Sequence, residues 1–182
     1  MATSDTTRYQ VVCSPRDKNW FSVDGALMSL LTFDNPVFCH YAIAAALMIV
    51  KMMSQGWITV FRMIKVGGGY RYEEDAQRSP TNPDPSPEQL LPNEYVERSR
   101  RMHGNDVENI PLFLVTGLLY VCTAPSGVVA LCVFTVYVLS RFAHFYVVLT
   151  ARLHELRALL WTIGSVVIYL MTAMVLWTAL RP

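Results

Sequence analysis

Long apolar runs alternate along this chain with one strongly polar stretch, and the pattern reads as four helices joined by connections of very unequal length. A bilayer core of about 30 Å needs roughly 20 apolar residues of helix. Four stretches approach or exceed that, at about 37–61, 109–124, 128–151 and 158–180. Pro36 suits the first position of the first helix, with Asp34 or Asn35 as its cap. The second apolar stretch is short, but a polar helical pattern precedes it from about Glu94, so this helix is expected to protrude into water. Pro125 and Gly127 mark a tight turn into the third span, which only Arg141 and His144 interrupt. The fourth span carries no charge. The expected fold is therefore all-α: an integral membrane four-helix bundle over 35–182, preceded by an N-terminal extension, 1–34. The segment at about 26–33 is too short to cross and is expected to rest at the interface.

The connection between the first two spans, about 62–95, holds five of the ten prolines within SPTNPDPSPEQLLPN, which predicts a solvated, irregular loop. Arg62, Lys65, Arg71, Arg78, Arg98, Arg100 and Arg101 flank it, and Arg152 and Arg157 mark the short connection between the third and fourth spans. The positive-inside rule turns both connections to the cytosol and both termini to the lumen.

Composition agrees with this reading. Of 182 residues, 53% are hydrophobic and only 16% charged, against roughly a quarter charged in soluble domains. Sixteen of the 29 charged residues lie between Arg62 and Glu108. A net charge of +1 and the lack of a basic stretch exclude an electrostatically driven nucleic-acid binder. Cys13, Cys39, Cys122 and Cys132 are too widely spaced for a disulfide framework or a zinc site, so no metal is expected. The first twenty residues lack the features of a cleaved secretory signal, which leaves targeting to a retained span.

Ionisable residues at membrane depth are costly and are default candidates for function. Arg101, Asn105 and Glu108, at i, i+4 and i+7, form one polar stripe on the second helix. Tyr137, Arg141, His144 and Val148 share a face of the third, and Arg157 and Trp161 stand one turn apart at the start of the fourth. Structural readings stand beside these. The stripe serves equally as a solvated face. Lys51, mid-span, calls for a partner such as Asp106 or Glu108, and a helix-locking ion pair is the favoured reading. Arg141 serves equally to neutralise Glu108 or to hold a ligand, Arg157 could snorkel to headgroups, and His144 alone reads as an interior histidine. Gathering these cations near the cytosolic boundary favours an anionic small molecule as occupant.

The string VERSRRMHGNDVENIPLFLVTGLLY, residues 96–120, closely resembles the second-helix signature of microsomal glutathione transferases in the MAPEG family. DNPVF and IVKMM in the first span, SRFAH in the third and LRAL opening the fourth extend the resemblance over roughly 34–180. It implies a homotrimer of four-helix subunits that binds glutathione between neighbours near the cytosolic face. It places glutathione contacts on Arg101, Asn105, Glu108 and His144, with Arg141 in support, Trp161 as the nearby aromatic and Arg62 as a basic contact at the end of the first helix. Arg157 matches the family's thiolate-stabilising, catalytic arginine.

The same resemblance separates branches. Gly104, Val148 and Ala158 stand where the prostaglandin E synthase branch carries arginine, tyrosine and serine, while LRAL and ENIPLFL are closer to the broad-specificity transferases. YRYEEDA departs from the family's FANPEDA but keeps Asp75, and Ala76 replaces the stress-reactive cysteine of mammalian transferases, so thiol activation there is not expected. The expected activity is conjugation of glutathione to lipophilic electrophiles, with reduction of lipid hydroperoxides related to it. The expected place is the endoplasmic reticulum membrane, or the mitochondrial outer membrane, with the site facing the cytosol. The alternatives are a glutathione-dependent endoperoxide isomerase and a non-catalytic lipid-binding membrane adaptor.

Overall fold

A computed structural model describes residues 29–181. Most of the expected N-terminal extension, and residues 26–28 of the expected interfacial segment, lie outside the described residues. Four long helices follow: α1 (Pro36–Val66), α2 (Glu94–Cys122), α3 (Gly127–Leu149) and α4 (His154–Leu180). Two short 3-10 turns, Glu73–Ala76 and Pro87–Leu90, lie in the loop between α1 and α2.

Local chemistry sets the helix ends. Asn35, not Asp34, caps α1: its side chain accepts from the Val37 N–H at 3.0 Å, and Pro36 fills the first position. α1 runs a turn beyond the expected 61 and stops at Gly67, which adopts φ 61°. Asn93 caps α2 and Ser126 caps α3. α2 continues through Pro111, which has no N–H to give the preceding turn.

α1, α3 and α4 are long and apolar enough to cross a membrane. α2 is as long, but its first half is charged, and only the part after Asn109 is apolar. It packs against α1 and α4 and, less extensively, α3. The apolar core lies among α1, α2 and α3, where the Phe113 and Tyr137 rings stack at 4.0 Å and Tyr41 and Phe134 pack around them. Gly117 permits this: a Cβ there would stand 2.8 Å from the Tyr41 ring, whose hydroxyl donates to the Leu114 carbonyl at 2.7 Å. Gly164 does the same for α4, since a Cβ would meet the Ser140 hydroxyl of α3 at 3.1 Å. Small residues at helix crossings are how membrane helices gain close packing. Away from these crossings large apolar side chains such as Trp57 and Tyr169 face outward.

The proline-rich loop is more ordered than its composition predicts. Asn82 and Gln89 exchange side-chain hydrogen bonds at 2.7 and 3.0 Å, and a capping box at Ser86 starts the second 3-10 turn. Arg100 donates to the Gly69 carbonyl at 2.8 Å, and Arg71 and Arg100 both pair with Glu97, so α2 clamps the loop.

Candidate functional site

Two groups of charged side chains lie close together on α2. The first is buried. Asp106, fully enclosed, accepts from Lys51 and Gln55 of α1 through one carboxylate oxygen and from Arg141 of α3 through the other. Lys51 and Arg141 are 4% and 1% exposed, so three helices meet on one ion cluster at membrane depth. Lys51 thus has the structural ion pair expected of it, and Asp106 rather than Glu108 supplies it. The same carboxylate corrects the expectation for Arg141, which does not neutralise Glu108. One anion against two cations leaves this cluster with one formal positive charge in excess. Breaking such a cluster by removing one member costs about 3–5 kcal/mol.

The second group surrounds a cleft of about 470 Å³ where the charged half of α2 meets the end of α3 and the start of α4. A volume of this size suits a small-molecule site. Arg101 and Asn105 reach it from α2, His144 from α3, and Arg157 and Trp161 from α4. Five of the residues singled out in the sequence therefore share one cleft. Val148 and Ala158 contribute apolar wall where larger polar side chains would narrow it.

Cations in the cleft are poorly matched by protein groups. The Nε of Arg157 and the Nδ1 of His144 are buried without a hydrogen-bond partner, and among the described residues Arg157 has no ion pair. Buried polar atoms of this kind are rare in native structures and call for an explanation. The two charged groups are coupled: an Arg141 Nη donates both to Asp106 and, at 2.7 Å, to the Asn105 side-chain oxygen. Arg141 sits behind the cleft and orients Asn105 at its wall.

Two expected contacts lie elsewhere. Arg62 is buried under Tyr95, its guanidinium 4.1 Å from the ring centroid and donating to the Tyr95 carbonyl at 2.7 Å, so it fastens the end of α1 to the start of α2. Glu108 is exposed and does not line the cleft. Sequence reasoning missed four lining residues: Glu94, Arg98, Met102 and His154. The spacing of 94, 98 and 101 carries the signal, since it puts Glu94 on the same face as both arginines. Glu94 accepts from Arg98 at 3.0 Å and from Arg101 at 2.6 Å through the same oxygen.

A second cleft, also about 470 Å³, opens between the loop, the second half of α1 and the first half of α2, and Asp75, Arg100, His103 and Gly104 line it. Its arginines are already paired with Glu97. It is the weaker candidate for an anion.

Glu97 lies outside the membrane-spanning part of α2. Burial would raise its carboxyl pKa, but hydrogen bonds from Arg100 and Arg71 and their positive charges outweigh that and hold it below the ordinary glutamate value.

Known proteins are similar to this chain in sequence. The chain is 31% identical over 137 residues to microsomal glutathione S-transferase 1 of Homo sapiens, which covers 72% of this chain and 83% of that protein. The Mus musculus protein of the same name is 32% identical over 139 residues, with the same shares covered. Prostaglandin E synthase of Homo sapiens is 28% identical over 152 residues, 83% of this chain and 95% of that protein. The sequence model of the MAPEG family matches residues 41–177, a stretch that holds α2, α3, both charged groups and the whole cleft, and the chain belongs to that family.

Proposed function

We propose that this protein is a membrane-bound glutathione transferase that joins the glutathione sulfur to lipophilic electrophiles, with reduction of lipid hydroperoxides as a related activity. The observation that carries the reading is the unpartnered Arg157 Nε inside a cleft shared with Arg101, Asn105 and His144. Its relatives' names support glutathione as the ligand and transfer as the reaction.

The tripeptide has two carboxylates and one ammonium, and its thiolate adds a further negative charge. In this reading Arg101 and Asn105 hold the peptide, and Arg157 stabilises the anionic sulfur. A free thiol titrates near 8.5, and the thiolate is the nucleophile. Lowering that value by about two units takes roughly 2.7 kcal/mol of differential stabilisation. A guanidinium at the edge of a low-dielectric site supplies interaction of that order. The thiol proton leaves to solvent through the open cleft. The sulfur then attacks the electrophilic carbon, and the leaving group departs with the bonding electrons. α4 exposes Trp161, which also lines the cleft, and Tyr169 about two turns further along the helix, a route by which a membrane-dissolved electrophile reaches the sulfur.

The protein works in this reading as a homotrimer in the endoplasmic reticulum membrane, its cleft facing the cytosol, where the arginine-rich connections lie. Arg62 and Glu108 lie outside the cleft of one subunit, so any contact from them crosses a subunit boundary.

Arg157→Ala tests the assignment. Full-length protein in detergent is expected to keep tripeptide binding while the ultraviolet absorbance of the bound thiolate disappears at neutral pH, and turnover of an aryl halide is expected to fall about 100-fold. Unchanged turnover overturns the role of Arg157. Faster turnover of a prostaglandin endoperoxide than of any aryl halide by the unmodified protein would replace conjugation with isomerisation, the chemistry named for the human synthase.

A further inference from the structure

Eleven residues line the cleft, and Glu94 is the single carboxylate among them, in the company of Arg98, Arg101, Arg157, His144 and His154. One of its oxygens is shared by Arg98 and Arg101. The carboxylate thus pairs with Arg98 and Arg101, while Arg157 has no such partner among the described residues. An incoming carboxylate that binds Arg101 comes to lie beside Glu94, which already holds one nitrogen of that guanidinium. The backbone of Glu94 is fixed as the first residue of α2, just after the Asn93 cap, so its carboxylate stays within a side chain's length of the cleft even when it releases the arginines. A bound ligand therefore stays close to a resident negative charge. A ligand carrying only negative charge meets repulsion there, whereas one that brings its own ammonium neutralises the displaced carboxylate.

We propose that Glu94 is a charge filter, a specificity-determining residue that makes this cationic cleft prefer anions bearing an ammonium group over bare anions of the same shape. The inference rests on the glutathione reading and deepens it: Glu94 recognises the amino group of the tripeptide and holds Arg98 and Arg101 in place until the peptide arrives. In the absence of ligand the same contacts keep Arg98 and Arg101 from presenting an unrelieved field to other cellular anions.

The plain structural account of Glu94 is a surface ion pair in the first turn of a helix, where an acidic residue also suits the helix dipole. That account predicts an effect on stability shared by every ligand, and the filter predicts an effect on discrimination. Calorimetric titration of the full-length protein in detergent separates them, with glutathione and the same tripeptide lacking its α-amino group as probes, against the unmodified protein and Glu94→Gln. The unmodified protein is expected to bind the amino-bearing peptide roughly 10-fold or more tightly than the deaminated one. In Glu94→Gln that ratio is expected to collapse toward one, chiefly through tighter binding of the deaminated peptide, and Glu94→Asp is expected to restore part of it. If both peptides bind and the ratio survives Glu94→Gln, the filter is overturned while the glutathione reading stands. If neither peptide binds the unmodified protein, the glutathione reading falls and the filter falls with it.

Discussion

Asp106 and Arg101 stand little more than a turn apart on α2, yet they sit in opposite kinds of charged neighbourhood. Around Asp106 both cations, Lys51 and Arg141, pair with a carboxylate supplied by the fold and solvent is excluded, although one positive charge stays in excess and the Arg141 Nε has no partner. Around Arg101 three arginines share the single carboxylate of Glu94, Arg157 has no ion pair among the described residues, and the His144 Nδ1 is buried without a hydrogen-bond partner. The first arrangement fixes three helices against one another, because an ion buried at membrane depth tolerates no other geometry. The second leaves interaction energy unspent until an anion arrives. What separates a structural charge from a binding charge in this protein is whether the fold itself supplies the counter-ion, and neither residue type nor depth decides it.

The sharpest way to break this distinction is to remove Asp106. Asp106→Ala leaves Lys51 and Arg141 facing each other without an anion, and the folded state is expected to lose about 3–5 kcal/mol, read as a large fall in the melting temperature in detergent. A melting temperature equal to that of the unmodified protein would mean that the buried cluster is not what holds α1, α2 and α3 together.

Asn105 sharpens the comparison because it belongs to both neighbourhoods. Asn105→Ala removes the oxygen that accepts from Arg141 and a wall residue of the cleft. It is expected to cost about 1–2 kcal/mol in stability, with tripeptide affinity weakened several-fold in parallel. Loss of only one of the two would uncouple the cluster from the cleft.

Glu97 gives the smallest expected effect. Arg71 and Arg100 hold its carboxyl below the ordinary glutamate value, so their anchoring of the loop is complete above the ordinary carboxylate range and is lost as pH falls through the depressed value. Glu97→Gln removes this pH-dependent anchor at a cost below about 1 kcal/mol, given the partial exposure of the pair. Limited proteolysis of the loop between α1 and α2 is expected to be faster in the variant at neutral pH and to converge with the unmodified protein in acid. Equal cleavage at neutral pH would show that other contacts, such as the Asn82 and Gln89 pair, hold the loop.

The helical signals could be read directly. Pro36 with Asp34 or Asn35 before it, the polar helical pattern from about Glu94, and Pro125 before the last two helices are local signals, which need no tertiary contact to act. The face shared by Arg141, His144 and Val148 and the pairing of Arg157 with Trp161 follow from helical spacing, and the fold brings His144, Val148, Arg157 and Trp161 to one cleft. The order of the proline-rich loop could not be read, because it comes from contacts between its own distant residues and from α2.

The sequence by itself determined an all-α chain of four long helices, the polar positions that fall within or beside apolar runs, and a surplus of cations where the helices leave the apolar layer. Only the tertiary structure decided which cations are satisfied. Asp106 and Glu108 are two residues apart and identical in charge, but successive helix positions turn by about 100°, so one points into the bundle and the other away. Which of the two faced Lys51 and Arg141 depended on how α1 and α3 dock on α2. That docking is set by the close approach at Gly117 and by aromatic packing across helices, contacts between residues far apart in the chain.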